Sequence, residues 1–283
     1  MFRRISNSWK LVKASFNVLR ADKELLVFPI VSGIASLIVL ATFAIPMFLT
    51  GLLEGFAGDG NPGARIISYV VAFAFYFTQY FIIIFSNSAI VGAATIRLKG
   101  GDPTVGDGFR IAFDHMGSIL GYAFISATVG MILRWISERG AIGQIVSSII
   151  GLAWGLATYL VIPVLVIENI GPIEGIKRST KMLKDTWGEQ IVGNFGIGTI
   201  TGLLTVAIII VGALLAFALA AAANSVIPVF ILLAVVVVLV IAINLVGTAL
   251  NGIYTAALYR YAVEGDTGGM FEKELIAGSI RRK

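Results

Sequence analysis

The chain has 283 residues, of which 58% are hydrophobic and only 13% are charged. A soluble domain carries about a quarter of its residues as Asp, Glu, Lys and Arg, so half that share cannot cover a surface that faces water. The composition therefore excludes a soluble globular protein and predicts an integral membrane protein, whose length is counted in spans of roughly 20 apolar residues. The net charge of +5 fits Lys and Arg at a cytoplasmic membrane surface, so we expect no nucleic-acid partner.

Six apolar runs without Asp, Glu, Lys or Arg predict six transmembrane helices. They cover residues 25–53, 66–96, 116–133, 141–167, 191–223 and 226–259. Long runs rich in Gly, Ala, Val and Ile fit lipid-embedded helices, whereas the strands of a membrane barrel would alternate over roughly ten residues. The last two runs exceed the length needed, so we expect them to tilt or to extend beyond the hydrocarbon. The predicted fold class is all-α, an integral membrane helical bundle of six transmembrane helices.

The distribution of basic residues predicts the orientation. Eighteen of the 21 Lys and Arg residues lie before the first run, between the second and third, between the fourth and fifth, and after the sixth. Only Arg65, Arg134 and Arg139 lie on the opposite side. Because Lys and Arg collect on the cytoplasmic side, we predict a multi-pass protein of the cytoplasmic (inner) membrane with both termini in the cytoplasm.

Two hydrophilic segments have the pattern of amphipathic helices that lie on a membrane surface. In each, aromatic and apolar residues recur at helical spacing, and basic residues occupy the neighbouring face. The residues expected to contact lipid in the first segment are Trp9, Lys10, Lys13, Phe16 and Arg20. Those of the second are Lys177, Arg178, Lys181, Lys184 and Trp187. Both segments predict binding to anionic lipid of the inner leaflet.

The chain is organised as a single membrane domain over 1–283. Its predicted parts are an N-terminal amphipathic helix at 1–24, spans one and two at 25–100, spans three and four at 101–167, a second amphipathic helix at 168–190, spans five and six at 191–260, and a cytoplasmic tail at 261–283. With a degenerate amphipathic segment at 105–115, the pattern indicates three pseudo-repeats of an amphipathic helix plus a helical hairpin. The alternative is that any membrane protein with basic cytoplasmic loops shows such stretches at these places.

The end of span two is similar in sequence to the end of span six. Ala93-Ala94-Thr95-Ile96-Arg97 is similar to Ala256-Ala257-Leu258-Tyr259-Arg260, and each is followed by Gly-Asp, at Gly101-Asp102 and Gly265-Asp266. This similarity supports the repeat hypothesis.

The stretch from Ile162 to Ser179, which reads IPVLVIENIGPIEGIKRS, resembles the signature of a prokaryotic family of polytopic membrane proteins of unknown function. More distantly, it is similar to the membrane domain fused to some glycerophosphodiester phosphodiesterases. The resemblance implies a six-span fold and no assigned activity. The phosphodiesterase domain itself has no counterpart in this chain, so its activity is not implied.

The chain offers little material for catalysis. It has no cysteine and one histidine, which excludes disulfides, thiolate chemistry and multi-histidine metal sites. No ionisable residue lies inside a predicted span, so the usual equipment of a proton-coupled transporter is missing. We therefore predict no enzyme activity, no catalytic residue, no cofactor and no metal.

Uncharged polar residues inside the spans are the remaining signal. They are Gln79, Asn87, Asn244 and Asn251. Such amides either bridge helices or line a hydrated path. The sequence thus predicts a non-enzymatic protein that organises or anchors at the cytoplasmic leaflet by binding anionic lipid or a protein partner. The alternative is a homo-oligomeric channel or facilitator for a small solute or ion, and in either case we expect a homo-oligomer or a partner membrane protein.

Overall fold

The structure, a computed structural model, describes residues 2–50, 62–187, 196–222, 226–272 and 276. These residues form ten α-helices and connecting turns, and none of them lies in a β-strand. The helices are α1 (Phe2–Ala21), α2 (Val27–Leu49), α3 (Pro62–Leu98), α4 (Val105–Asp114), α5 (Met116–Ser137), α6 (Gly140–Ala157), α7 (Val161–Glu168), α8 (Pro172–Trp187), α9 (Gly196–Ala222) and α10 (Ile227–Glu264). A single 3-10 turn at Lys23–Leu26 joins α1 to α2. The prediction of an all-α fold is confirmed.

Six helical segments are long and apolar enough to cross a membrane. They are Lys23–Leu49, Ile66–Leu98, Met116–Ser137, Gly140–Glu168, Ile200–Ala221 and Ile227–Glu264. Each coincides with one of the six predicted runs, including the shortest, the third. The chain is therefore a membrane protein with six candidate transmembrane helices.

The connectivity gives the bundle two distinct ends. At the end that we call basal, α3, α7 and α10 finish and α2, α5 and α9 begin; the opposite end is called distal. Helices α1, α4 and α8 precede α2, α5 and α9 and therefore belong to the basal end. Helix α6 begins at the distal end and leads into α7. The segment predicted as a degenerate amphipathic copy forms α4.

The packed core lies in the basal half of the bundle. In α10, no residue from Ile227 to Val246 is buried, whereas most residues from Gly247 to Tyr259 are. Burial in α3 is likewise concentrated between Ile84 and Leu98. The most apolar stretches are thus the most exposed, which is the arrangement expected where lipid replaces water.

This division explains why two helices are longer than a bilayer requires. Helices α3 and α10 contain 37 and 38 residues. At about 1.5 Å per residue each is roughly 56 Å long, against a hydrocarbon thickness of about 30 Å. The extra turns of both helices lie in the basal core, where they pack against α1, α4 and α7 rather than against lipid.

Small residues allow the basal helices to approach closely. A Cβ atom on Gly252 of α10 would lie 2.5 Å from Ile90 of α3, and one on Gly92 would lie 2.8 Å from Ile111 of α4. The closest approach is at Gly108 of α4, where a Cβ atom would lie 2.3 Å from the Phe28 ring and 2.9 Å from the carbonyl oxygen of Ala89. Glycine at these positions permits helix contacts that any larger residue would separate.

The fourth predicted run is broken rather than continuous. Helix α6 ends at Ala157 and α7 begins at Val161, because Pro163 has no N–H group to continue the helical hydrogen bonds through this point. The backbone N–H of Leu160 instead donates to the Ser179 hydroxyl of α8 at 3.1 Å. The span predicted at 141–167 is thus one candidate span, Gly140–Glu168, made of two helices.

Some predicted features lie outside the described residues. They are the turn between the fifth and sixth spans, the start of span five before Gly196 and most of the tail at 261–283 beyond Glu272. Helix α8 includes Trp187, but the side chain of Trp187 is outside the description.

Candidate functional site

Helix α1 presents its aromatic and basic residues outward. Trp9 and Phe16 are 58% and 48% exposed, and Lys10, Lys13 and Arg20 are also exposed. At about 100° per residue these five side chains occupy one continuous face of the helix. They are the five residues that the sequence assigned to this segment.

The opposite face of α1 packs against the protein, which the sequence did not predict. Leu11, Ser15 and Val18 are buried in the basal core, and α1 contacts α9 and α10. Leu19 is also buried. Helix α1 is therefore fixed to the bundle by one face while the other face remains open.

Helix α8 repeats this division between an inner and an outer face. Gly175, Ser179, Met182 and Leu183 are buried. Lys177, Lys181 and Lys184 are exposed, as the sequence predicted. Arg178, the fourth predicted basic residue, differs from these lysines because its guanidinium turns to Glu168 at the end of α7.

Arginine and lysine have different roles across the described side chains. Arg97, Arg110, Arg134, Arg178 and Arg260 each form an ion pair, and Arg139 stacks on Trp135. Arg20 is the exception, since it is exposed on α1 and forms no ion pair among the described residues. By contrast, no ion pair is formed among the described residues by any described lysine, namely Lys10, Lys13, Lys23, Lys99, Lys177, Lys181 and Lys184. The planar guanidinium suits fixed pairing inside a protein, and the hydrated ammonium suits an open surface. The lysines thus leave positive charge uncompensated on the exposed faces of α1 and α8.

Arg97 links three segments at the basal end. It lies in the last turn of α3 and donates from two nitrogens to the two carboxylate oxygens of Asp22, which follows α1. It also donates to Asp102 at 2.5 Å. The Asp22 side chain is only 5% exposed, so its charge depends on this forked pairing.

Arg260 is the sequence counterpart of Arg97 and lies one turn before the end of α10. It donates to the carbonyl oxygen of Leu98, to Glu264 at 2.8 Å and to Asp266 at 3.2 Å. The loop beyond α10 folds back here through Gly268, whose φ of +68° and contact with the Leu98 carbonyl exclude a side chain. The ends of α3 and α10 are joined by this arginine.

Glu168, the last residue of α7, joins this helix to α8 and α10. Its carboxylate accepts from the Arg178 Nε of α8 through both oxygens at 3.1 Å, and from the Tyr259 hydroxyl of α10 at 3.1 Å. Helix α7 ends immediately afterwards at Asn169, which has a positive φ of 51°. These contacts hold α8 in place so that its lysines face outward.

A capping box fixes the start of α4. The Thr104 hydroxyl accepts from the Asp107 backbone N–H at 3.2 Å, and the Asp107 carboxylate accepts from the Thr104 backbone N–H at 3.0 Å. The hydroxyl and backbone donors of Thr104 lower the pKa of Asp107 below its ordinary value. The backbone N–H of Val105 is bound by the Glu24 carboxylate at 3.1 Å, which ties α4 to the turn after α1.

The four predicted amides do not behave alike. Gln79 of α3 donates to the carbonyl oxygen of Ser36 in α2 at 3.0 Å, which is an interhelical bridge. Asn244 donates to Val240 within its own helix at 2.7 Å and is exposed, as is Asn251. Asn87 on α3 is half-buried. The structure gives no contact that joins Asn87 to the two α10 amides among the described residues, so a common path remains a prediction.

The residues that fix the basal end were largely missed in the sequence. Arg97 and Arg260 were counted only as positive charges, and Asp22 was not considered. The repeated Arg followed by Gly-Asp was the available signal, because in both copies the arginine binds that aspartate. Asp22 carried no comparable signal, since it lies 75 residues from its partner.

The described residues contain no group of three or more His, Cys, Asp or Glu side chains that could hold a metal ion. The only histidine, His115, lies between α4 and α5 with its Nδ1 2.7 Å from the carbonyl oxygen of Ile111. The basal end thus combines internal ion pairs with an open basic surface.

Comparison with known proteins yields a family. Residues 66–269, more than half of the chain, match the model described as Family of unknown function (DUF6159). The chain belongs to this family. The match runs from α3 to the loop after α10 and leaves α1 and α2 outside it. No curated protein and no solved structure matches the chain. Membership in an uncharacterised family was predicted from the sequence, while the distant similarity to phosphodiesterase-fused membrane domains stays a prediction.

Proposed function

We propose that the protein is a non-enzymatic membrane organiser whose basal end binds anionic lipid of the cytoplasmic leaflet. The observation that carries this proposal is the separation of basic residues. Apart from the exposed Arg20, the described arginines form an ion pair or stack on a ring, while the lysines of α1 and α8 remain exposed. On α1 these lysines share a face with the exposed rings of Trp9 and Phe16. Each lysine near an anionic surface contributes about 1 kcal/mol of attraction.

The proposal includes the orientation of the bundle. Eighteen of 21 basic residues lie in the segments that connect at the basal end, so this end is proposed to face the cytoplasm. Trp9 and Phe16 have the amphipathic or apolar character of residues that anchor a surface helix at headgroup level. In this arrangement α1 and α8 rest on the same leaflet and gather its anionic lipids around the bundle.

The repeat hypothesis would explain why several surface helices lie at the basal end. The unit of a basal helix followed by a hairpin would be α1 with α2–α3, α4 with α5–α7, and α8 with α9–α10. Its support is that Arg97 and Arg260, at matching ends of two units, bind Asp102 and Asp266 respectively. Repetition of the unit would place a surface helix on more than one side of the bundle.

The test is charge reversal of exposed lysines with a charge-conserving control. The full chain carrying Lys10→Glu, Lys13→Glu, Lys181→Glu and Lys184→Glu is extracted into native nanodiscs from membranes containing phosphatidylglycerol and phosphatidylethanolamine. We expect the wild type to enrich phosphatidylglycerol in its lipid shell and the quadruple variant to lose the enrichment. The matched control replaces the same four lysines by arginine and should keep it, because the charge is unchanged.

An unchanged phosphatidylglycerol share in the Lys→Glu variant would overturn the proposal. The basic surface would then serve a protein partner, the other occupant that the sequence allowed. Loss of enrichment in the Lys→Arg control would also contradict it, because binding would depend on something other than charge.

The channel alternative is favoured by one observation. Asn244, Thr248 and Asn251 form an exposed polar line on α10, which in a homo-oligomer could face a path between copies. Purified protein in liposomes should then pass a small solute or an ion current, and Asn244→Leu with Asn251→Leu should abolish it. Liposomes that stay impermeable under an applied gradient would rule this function out.

A further inference from the structure

A cleft of about 440 Å³ lies between α3 and α5 at the distal end, far from the basic surface. It is lined by Tyr69, Ala72, Tyr76, Ile132, Arg134 and Trp135, together with Met131 and Glu138. Ile132 and Trp135 are 52% and 54% exposed, so the cleft is open at the side of the bundle. Its volume is within the range of about 300–1,000 Å³ that is typical of small-molecule sites.

The position of the cleft matches the headgroup level of a bilayer. Helix α5 has 22 residues and is therefore about 33 Å long, close to the hydrocarbon thickness of about 30 Å. Arg134 lies in its last turn, at the distal end. Tyrosine, tryptophan and arginine around the cleft are the residue types found where hydrocarbon meets water.

The polar groups of the cleft carry both signs of charge. The Arg134 guanidinium donates to the Tyr76 hydroxyl at 2.9 Å and to the Glu138 carboxylate at 3.0 Å. Both charged side chains are more than half exposed, at 57% and 58%. Arginine has five N–H donors, so these two bonds leave donors for a phosphate oxygen. The Glu138 carboxylate has the complementary capacity to accept from an ammonium group.

The remainder of the cleft is apolar. Ala72 and Met131 line it, and Ile132 also lines a second cavity of about 440 Å³ between α5 and α6. The second cavity is formed by apolar side chains, among them Leu133, Ile136 and Trp154. Hydrocarbon chains therefore have apolar surface on both sides of α5, next to the ion pair of Arg134 and Glu138. Arg139, which stacks on Trp135, adds a second positive charge at the edge of the cleft.

We propose that this cleft binds a zwitterionic phospholipid whose headgroup ends in a primary ammonium, as in phosphatidylethanolamine. The phosphate lies on Arg134, the ammonium on Glu138, and an acyl chain along Ala72 and Ile132. A carboxylate accepts hydrogen bonds from a primary ammonium but not from the trimethylammonium group of phosphatidylcholine. The site is independent of the proposed basal function, because the Glu138 carboxylate selects an ammonium headgroup at the opposite end.

The experiment titrates the purified full chain in detergent with dioleoyl-phosphatidylethanolamine or dioleoyl-phosphatidylcholine and counts bound lipid by native mass spectrometry. We expect the wild type to retain the ethanolamine lipid about tenfold better, which corresponds to one charge-assisted contact. Glu138→Gln should reduce this ratio to about one, and Arg134→Gln should weaken both lipids. Soluble phosphoethanolamine, which has no acyl chains, should not displace the lipid.

The chain offers a matched control in Glu264→Gln. Arg260 and Glu264 form an ion pair with the same four-residue spacing at the basal end, at 2.8 Å. This variant should keep the wild-type preference for the ethanolamine lipid. Equal retention of the two lipids by the wild type, or an unchanged preference in Glu138→Gln, would overturn the proposal. Displacement by soluble phosphoethanolamine would assign the cleft to a soluble ligand instead.

Discussion

The basal and distal halves of this bundle share the long helices α3 and α10 but are stabilised differently. In the basal half, glycine and alanine bring α3, α4 and α10 into close contact, and ion pairs join residues that are far apart in the chain. In the distal half, α3 and α10 bury none of their described apolar side chains. The six spans are therefore packed together at the basal end, whereas lipid covers the distal end.

The two halves also differ in the charge they offer to a ligand. Exposed lysines give the basal end an uncompensated positive surface, whereas the distal cleft pairs Arg134 with Glu138. An anionic lipid therefore fits the first region and a zwitterionic lipid the second. The two proposals therefore predict different lipid classes at the two ends.

The largest loss of stability is expected from Arg97→Leu. The substitution leaves the Asp22 carboxylate, 5% exposed, without its forked partner, and breaking such a buried pair costs about 3–5 kcal/mol. The free energy of unfolding in detergent measures the loss. The distal control is Arg134→Leu, which removes an exposed pair worth about 0–1 kcal/mol. Similar losses for the two variants would remove the energetic distinction between the halves.

A smaller effect is expected from Gly108→Ala. The added methyl group would clash with the Phe28 ring and the Ala89 carbonyl, and overpacking of this kind costs about 1–3 kcal/mol. Gly106 in the same helix is the matched control, since a Cβ atom there would lie 3.6 Å from the nearest atom, the Thr104 hydroxyl oxygen. Gly106→Ala should therefore be neutral or stabilising by up to about 1 kcal/mol. Thermal unfolding of the two variants compares them directly, and equal midpoints would show that α4 is not tightly packed.

The smallest loss of stability is expected from a substitution at the start of α4. Thr104→Ala removes the capping box and should cost about 1 kcal/mol, visible as faster amide hydrogen exchange in the first turn. The pKa of Asp107 is lowered in the folded protein, so the stability from its carboxylate is present above the unfolded value of about 3.9 and is lost as the pH falls through the lowered pKa.

The distal end provides the reference for this pH effect. Arg139 precedes α6 without a side-chain capping bond, so exchange at the start of α6, relative to its intrinsic pH dependence, should not change over the same acidic range. Parallel acceleration at both helices would contradict the role given to Asp107.

Composition and periodicity were sufficient to predict the six spans, since a bilayer requires about 20 apolar residues for each. The positions of Lys10, Lys13, Lys181 and Lys184 on exposed faces could also be predicted, because helical spacing alone places them together. The burial of the inner face of α1 could not be predicted, because Leu11 and Val18 are buried only through the contacts of α1 with α9 and α10.

Contacts between distant residues set the limit of sequence reasoning. Helical spacing places Arg178 on the same basic face as Lys177 and Lys181. Its guanidinium turns inward because it binds Glu168 at the end of α7. The break in span four likewise depends on Ser179 of a later helix binding the Leu160 N–H, although Pro163 was visible in the sequence.

The central claim is that the exposed lysines of α1 and α8 lie on anionic lipid. The most direct measurement is the amine reactivity of each lysine, read by mass spectrometry, in wild-type protein reconstituted into phosphatidylcholine vesicles with or without phosphatidylglycerol. Lys10, Lys13, Lys181 and Lys184 should lose reactivity when phosphatidylglycerol is present, relative to Lys99 beyond the end of α3. Equal reactivity of these four lysines in the two kinds of vesicle would contradict the account.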